Sequence, residues 1–277
     1  MKNSTRRGLI LGLILLVFGL VIIIGSVIAG ATGEKAAETL SRTMNINLPE
    51  VNKEDYYTMS EAELIPIGTT FPASSIKRVK LDIGAAEAII VDGSEFSVQA
   101  TDDICSVKQN GDMLKISSRP KRWFNFFGNL KKRQVKITLP SAVPLEELDI
   151  ELGAGSLVCI SPIKCRYGKV EVGMGQCRLE NIEATNSVDI ECGMGAVEVN
   201  GSIKGDCKIE CGMGEVKMKV NGNPMDYSYV AEVGMGSIKI NETEIGGVGS
   251  KTSSPYSAAN KFKVECGMGA VIIKIGE

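Results

Sequence analysis

One five-residue phrase recurs along the second half of this chain. It reads Glu151-Leu152-Gly153-Ala154-Gly155, Glu171-Val172-Gly173-Met174-Gly175, Glu191-Cys192-Gly193-Met194-Gly195, Glu210-Cys211-Gly212-Met213-Gly214, Glu232-Val233-Gly234-Met235-Gly236 and Glu265-Cys266-Gly267-Met268-Gly269, at steps of 20, 20, 19, 22 and 33 residues. A weaker copy, Asp82-Ile83-Gly84-Ala85-Ala86, stands upstream. Self-similarity at a near-fixed period marks a repeat architecture, in which each unit buries its neighbour's apolar face. The repetition also directs these residues toward stacking rather than toward a single site.

Within one unit, Val188, Ile190, Cys192 and Met194 alternate with polar or glycine positions, the period of a half-buried strand. Past Gly195 the phase slips by one, and Val197 and Val199 carry the apolar face. Gly195-Ala196 is therefore read as a bend, where glycine supplies backbone angles that other residues avoid. Asn200-Gly201 and Gly205 give a second bend. Two short strands and two bends complete one coil of a solenoid, and stacked coils set equivalent side chains about 4.8 Å apart. The competing arrangement is a stack of hairpins turning at Gly-Met-Gly. That would put methionine at exposed tips, where turn chemistry favours Asn or Asp beside Gly. The predicted fold class is all-β: a β-solenoid, or β-helix-like stack, of about seven two-strand coils with the motif methionines facing inward, preceded by one N-terminal transmembrane helix.

That helix is read from residues 8–33, which carry no charge and are almost wholly apolar from Leu9 to Ile28. About 20 such residues cross a bilayer core. Lys2, Arg6 and Arg7 precede the run, and the positive-inside rule keeps residues 1–7 in the cytoplasm. A cleaved signal peptide is the alternative, with Ala29-Gly30-Ala31 as its cleavage site, but the run exceeds the usual signal length of about 7–15 residues. The expected organisation is a cytoplasmic basic tail (1–7), a membrane helix (8–33), an extracytoplasmic linker broken by Pro49, Pro66 and Pro72 (34–75), and a repeat domain (76–277). Localisation at the plasma membrane follows, single-pass, with the C-terminal domain outside.

Composition narrows the chemistry. With 31 Lys and Arg against 33 Asp and Glu, the chain lacks the basic excess of a nucleic-acid binder. Histidine is absent, which removes the commonest general base and metal ligand. No Cys-x-x-Cys, calcium loop or phosphate loop appears. An enzyme is not expected, and no catalytic residue, cofactor or metal site is assigned. Six of the eight cysteines (Cys159, Cys177, Cys192, Cys207, Cys211 and Cys266) fall on inward positions that other repeats fill with Val, Leu, Ile or Ala. They read as small buried hydrophobes rather than a disulfide framework. A bridge between Cys192 and Cys211 stays open, because they are ladder neighbours.

One local feature stands apart from the repeat. Between Arg119 and Arg133 lie Arg119, Lys121, Arg122, Trp123, Phe124, Phe126, Phe127, Lys131, Lys132 and Arg133, with no acid and the only tryptophan of the chain. Aromatic rings among cations suit an anionic membrane surface or wall polymer. The alternative is that the rings fold back to cap the first coil while the charges are merely solvated. Two further expectations concern the end of the chain. The Gly/Ser/Thr-rich insertion 241–261 should project as a loop, and the last coil should offer an open edge for self-association.

The Glu-Cys-Gly-Met-Gly and Glu-Val-Gly-Met-Gly phrases, the insertion before the last of them and the basic-aromatic segment resemble the bacterial "putative adhesin" β-strand-repeat family, a domain of unknown function common in Gram-positive bacteria. The resemblance spans about residues 76–277. It implies a right-handed β-solenoid-like fold, often behind one membrane helix, and in some members a part in the envelope-stress or antimicrobial-peptide response. It carries over no catalytic residues. The leading expectation is a membrane-anchored, non-catalytic scaffold or interaction protein of the cell envelope. The alternative is an envelope sensor binding anionic lipid, wall polymer or cationic peptide.

Overall fold

The computed structural model describes residues 64–101, 105–118 and 133–276. The membrane helix, most of the linker and Arg119 through Lys132 lie outside them. Among the described residues no helix is long and apolar enough to cross a membrane.

The domain is a stack of eight two-arm rungs joined by parallel ladders. In spatial order their first arms are 113–118, 78–83, 145–152, 165–172, 187–192, 206–211, 260–266 and 227–233. The second arms follow in the same order: 134–139, 87–92, 156–159, 176–179, 196–199, 215–220, 270–275 and 237–240. A short third ladder joins 163–165, 182–184 and 201–203. The solenoid-like, all-β class is thus as the sequence predicts, with one rung more than the motif count. The additional rung lacks the motif, and its two arms are separated by the basic-aromatic segment.

Alternation builds the core. One column runs Ile116, Leu81, Ile150, Val170, Ile190, Ile209, Val264 and Ala231, each at most 1% exposed. On the second sheet Ile137, Ile90, Cys159, Leu179, Val199, Met218, Ile273 and Ile240 stack in the same manner. Burying each Val, Leu or Ile contributes roughly 1.5–3 kcal/mol, so columns of this length hold the stack together. All eight cysteines are buried and free.

Three sequence expectations need correction. First, the motif methionines do not line the interior. Met174, Met194 and Met235 are 63%, 42% and 46% exposed, and Met213 and Met268 are half-buried. The chain turns at Gly-Met-Gly, and the strand period does not continue through the turn. The solenoid survives because the corner joins two arms of one rung, and every ladder between motif arms is parallel, which excludes stacked hairpins.

Second, the motif glycines are not there for unusual backbone angles: none of them has positive φ. They are needed for close approach. A Cβ on Gly195 would lie 2.1 Å from the Gly175 carbonyl oxygen, and one on Gly214 would lie 2.3 Å from that of Gly195. At the second bend the usual argument does hold, with Gly201 and Gly205 at φ +147° and +82°.

Third, the last coil in sequence is not the end of the stack. Its arms 260–266 and 270–275 sit between those of the 206–220 rung and those of the 227–240 rung, so both edges are paired within the chain. The insertion supplies the cap instead of a free loop. Ser250–Ser253 pairs antiparallel with 230–233, and Thr243–Gly246 pairs antiparallel with 237–240. At the opposite end Cys105–Asn110 and Glu95–Ala100 close the stack in the same antiparallel fashion. The Asn110-Gly111 turn joins the hairpin there, with Gly111 at φ +61°.

Candidate functional site

Three outer features compete for function: a column of acids, the Gly-Met-Gly corners and a cleft where the corner pattern breaks. The acids come first because repetition forces them together. Asp82, Glu151, Glu171, Glu191, Glu210, Glu265 and Glu232 stand in direct register on seven consecutive rungs. Like charges so placed repel. Lysines two positions upstream answer them: Lys169 pairs with Glu171, Lys208 with Glu210, and Lys263 with Glu265 at 2.6 Å. Lys251 from the cap pairs with Glu232. Lys80 bridges Asp149 and Glu151, the latter at 2.6 Å. Partial burial opposes the Lys80 charge, but hydrogen bonds to these two carboxylates outweigh it and hold the ammonium above its usual range.

On the Glu191 rung Asp189 occupies the lysine position, as Asp149 does on the Glu151 rung, where Lys80 serves both acids instead. Partial burial and then the charge of Glu171 push the Glu191 carboxyl pKa upward. The column is therefore mostly neutralised, with surplus negative charge near its middle. No group of three or more His, Cys, Asp and Glu forms a metal cluster among the described residues.

The corners are hydrogen-bonded straight through. Gly193 donates to the Val172 carbonyl at 2.8 Å, Met194 to Gly173 at 2.8 Å and Ala196 to Gly175 at 3.0 Å. The same pattern recurs with Gly212, Met213 and Glu215 on the rung above. Cysteine suits the position before the corner because its thiol reaches back under the turn. Cys192 Sγ donates to the Gly195 carbonyl and Cys211 Sγ to that of Gly214, each at 3.2 Å.

The cleft forms where two rungs carry alanine in place of methionine. Ala85 and Ala154 leave the corner ridge low, and Met174 on the next rung closes the gap. The resulting open recess of about 480 Å³ is lined by Ala86, Glu87, Gly155, Ser156, Gly175 and Gln176 as well, with Arg133 on its rim. The Arg133 carbonyl accepts from the Glu87 amide at 2.8 Å, and Gln134 Nε2 donates to Glu87 Oε2 at 3.3 Å, which fixes that rim. Arg133 is the one member of the predicted basic-aromatic set within the described residues. Arg119, Lys121, Arg122, Trp123, Phe124, Phe126, Phe127, Lys131 and Lys132 lie outside them. The cleft was missed in sequence, although the departure at Ala85-Ala86 and Ala154 was its signal.

An eight-rung parallel stack with glycine corners defines a solenoid-like β-repeat domain. The chain matches the Toastrack DUF4097 family over residues 74–263, and it belongs to that family. Among solved structures it is similar to a "putative cell adhesion protein" from Clostridium sporogenes, at 17% identity and a TM-score of 0.47, over 76% of this chain and 98% of that one. It is also similar to a "putative adhesin" from Bacteroides fragilis, at 12% identity and a TM-score of 0.35, over 76% and 96% of the two chains. A "putative lipid binding protein" from Parabacteroides distasonis matches at 15% identity and a TM-score of 0.33, again over 76% and 96%. No curated protein matches.

Proposed function

We propose that this chain is a membrane-anchored, non-catalytic interaction protein of the bacterial cell envelope. Residues 8–33 anchor it, residues 34–75 tether it, and the repeat domain displays its outer surface on the extracytoplasmic side. The observation that carries this reading is the fate of the repeated residues. Glycines are consumed by backbone contact between rungs, and most of the stacked acids by lysines of their own or adjacent strands. What this leaves is a rigid body with a varied surface, suited to display and recognition.

The cleft supports a second reading, an envelope sensor that engages anionic lipid or wall polymer through Arg133 and the preceding basic-aromatic segment, or a cationic peptide through the acidic face. Small apolar walls beside a guanidinium fit an amphiphilic anion. Co-sedimentation of residues 64–277 with phosphatidylglycerol and with phosphatidylcholine vesicles separates the two. Binding to the anionic vesicles that is lost in Trp123→Ala/Phe126→Ala favours the sensor; no binding by either form favours the scaffold. Protease accessibility of the repeat domain in intact cells tests the topology, and protection from added protease would refute it.

A further inference from the structure

The corner methionines form a continuous ladder that the fold does not require. Met174, Met194, Met213, Met268 and Met235 occupy the same corner position on five consecutive rungs. The Met194 amide donates to Gly173, Met213 to Gly193, Met268 to Gly212 and Met235 to Gly267. Their neighbours in the motif drift from rung to rung. The residue before the first glycine is Val172, Cys192, Cys211, Cys266 or Val233, and the residue after the second is Gln176, Ala196, Glu215, Ala270 or Ser237. Besides the stacked glutamate and the two contact glycines, methionine alone stays constant, at a place where 63%, 42% and 46% exposure of three members gives an apolar side chain little to gain by burial. Any polar residue would serve a bare corner as well. What methionine brings is a soft, polarisable sulfur on a flexible arm.

We propose that this ladder is a binding site for a soft monovalent metal ion of the Cu(I) or Ag(I) class, held by thioethers from adjacent rungs. Thioether sulfur selects such ions over the harder divalent metals. The geometry agrees. Parallel rungs place successive corners about 4.8 Å apart, and two metal–sulfur bonds of about 2.3 Å, the length sulfur makes to zinc, span nearly that distance. Five flexible side chains in a row accommodate up to two ions, each bridging neighbouring rungs. Charge assists: the acid column runs along the same rungs, and among the methionine rungs the one without a lysine, with Asp189 and Glu191, lies at the second methionine of the row. Negative potential there raises the local cation concentration.

The buried thiols of Cys192, Cys211 and Cys266 stack in the same rungs and are the obvious competitor for a soft ion. Two variants separate the possibilities. Met194→Leu/Met213→Leu/Met268→Leu removes three sulfurs at nearly constant volume. Cys192→Val/Cys211→Val/Cys266→Val places valine where Val172 and Val233 already occupy the same column.

Full-length protein in detergent is titrated anaerobically with Cu(I) against a chromophoric chelator, and bound copper is examined by X-ray absorption. The wild type is expected to take up Cu(I) with sulfur-only ligation. The methionine variant should bind at least about tenfold more weakly, a scale that even outer-shell changes at metal sites reach, while the cysteine variant binds as wild type. Unchanged circular dichroism verifies the fold of each. Should the triple methionine variant not fold, Met174→Leu/Met235→Leu, at the most exposed corners, must weaken binding in the same direction. No uptake by the wild type, undiminished uptake by a folded methionine variant, or loss confined to the cysteine variant overturns the proposal.

Discussion

Replacing Gly195 with alanine separates two explanations of the motif that predict opposite signs. If the second glycine of each corner were kept for backbone freedom, alanine would be harmless here, because φ is not positive. It would even stabilise by about 0.4–1 kcal/mol by restricting the unfolded chain. The structure predicts the reverse. The new Cβ would sit 2.1 Å from the Gly175 carbonyl oxygen and 2.8 Å from Val172 Cγ1, and the nearer atom is backbone that cannot rotate away. Relief requires the two rungs to part. That sacrifices the bonds from Gly195 to Gly173 at 3.1 Å and from Ala196 to Gly175 at 3.0 Å. At roughly 0.5–1.5 kcal/mol for each of the two bonds, with about 1–3 kcal/mol for the overpacked contact, the loss comes to about 2–6 kcal/mol. Gly246→Ala is the matched control, since nothing lies within 4 Å of its added Cβ. Urea unfolding followed by circular dichroism reads the difference. A Gly195→Ala midpoint equal to or above that of wild type would refute the account of these corners as contact points between rungs.

Other outcomes follow from the same geometry. Burial pushes the Cys105 thiol to about 11 and those of Cys159 and Cys165 to about 12. Native protein at pH 8 should therefore leave all three unalkylated by iodoacetamide, and unfolded protein should lose that protection; mass spectrometry of the labelled peptides decides. The raised Glu191 carboxyl means that folding disfavours its charged form, so that penalty operates above its folded pKa and vanishes once the group is protonated in both states. Glu191→Gln should raise the urea midpoint at pH 7, by less than about 1 kcal/mol for a like-charge neighbour, and leave it unchanged near pH 3; a gain of equal size at both pH values would contradict the charge argument. Replacing 243–253 with a short glycine-serine turn uncaps the 227–240 rung, and gel filtration should then show stronger concentration-dependent association than for the intact chain.

Strand alternation made the interior columns legible, because a one-residue slip would turn each rung inside out. It gave six inward cysteines residue by residue. It misplaced the methionines because period-two counting carries on past the point where the chain begins to bend. The arms 113–118 and 134–139 alternate as strands do, but nothing marked them as one rung, because that rung has no motif and its arms are interrupted by 15 residues rich in charge and aromatics. Spatial order was the least visible. Rungs with the same pattern of acid, apolar residue and glycine corner can neighbour one another in any order, so local pattern does not encode which of them end up adjacent. The cleft was hidden for a related reason: an alanine at a corner reads as a weak repeat until its taller neighbour Met174 is in place.

The exchanged order of the last two rungs bears on how the chain assembles. During synthesis 227–240 emerges before 260–275, and its Glu-Val-Gly-Met-Gly corner is compatible with direct zipping onto 206–220. The native partner of 206–220 is the later segment, so an early embrace has to be undone before the final one can form. Such a detour predicts a slow refolding phase that disappears when 227–240 is prevented from pairing prematurely. It also places residues 260–275, made after both of the rungs they separate, where their arrival locks the assembly from within.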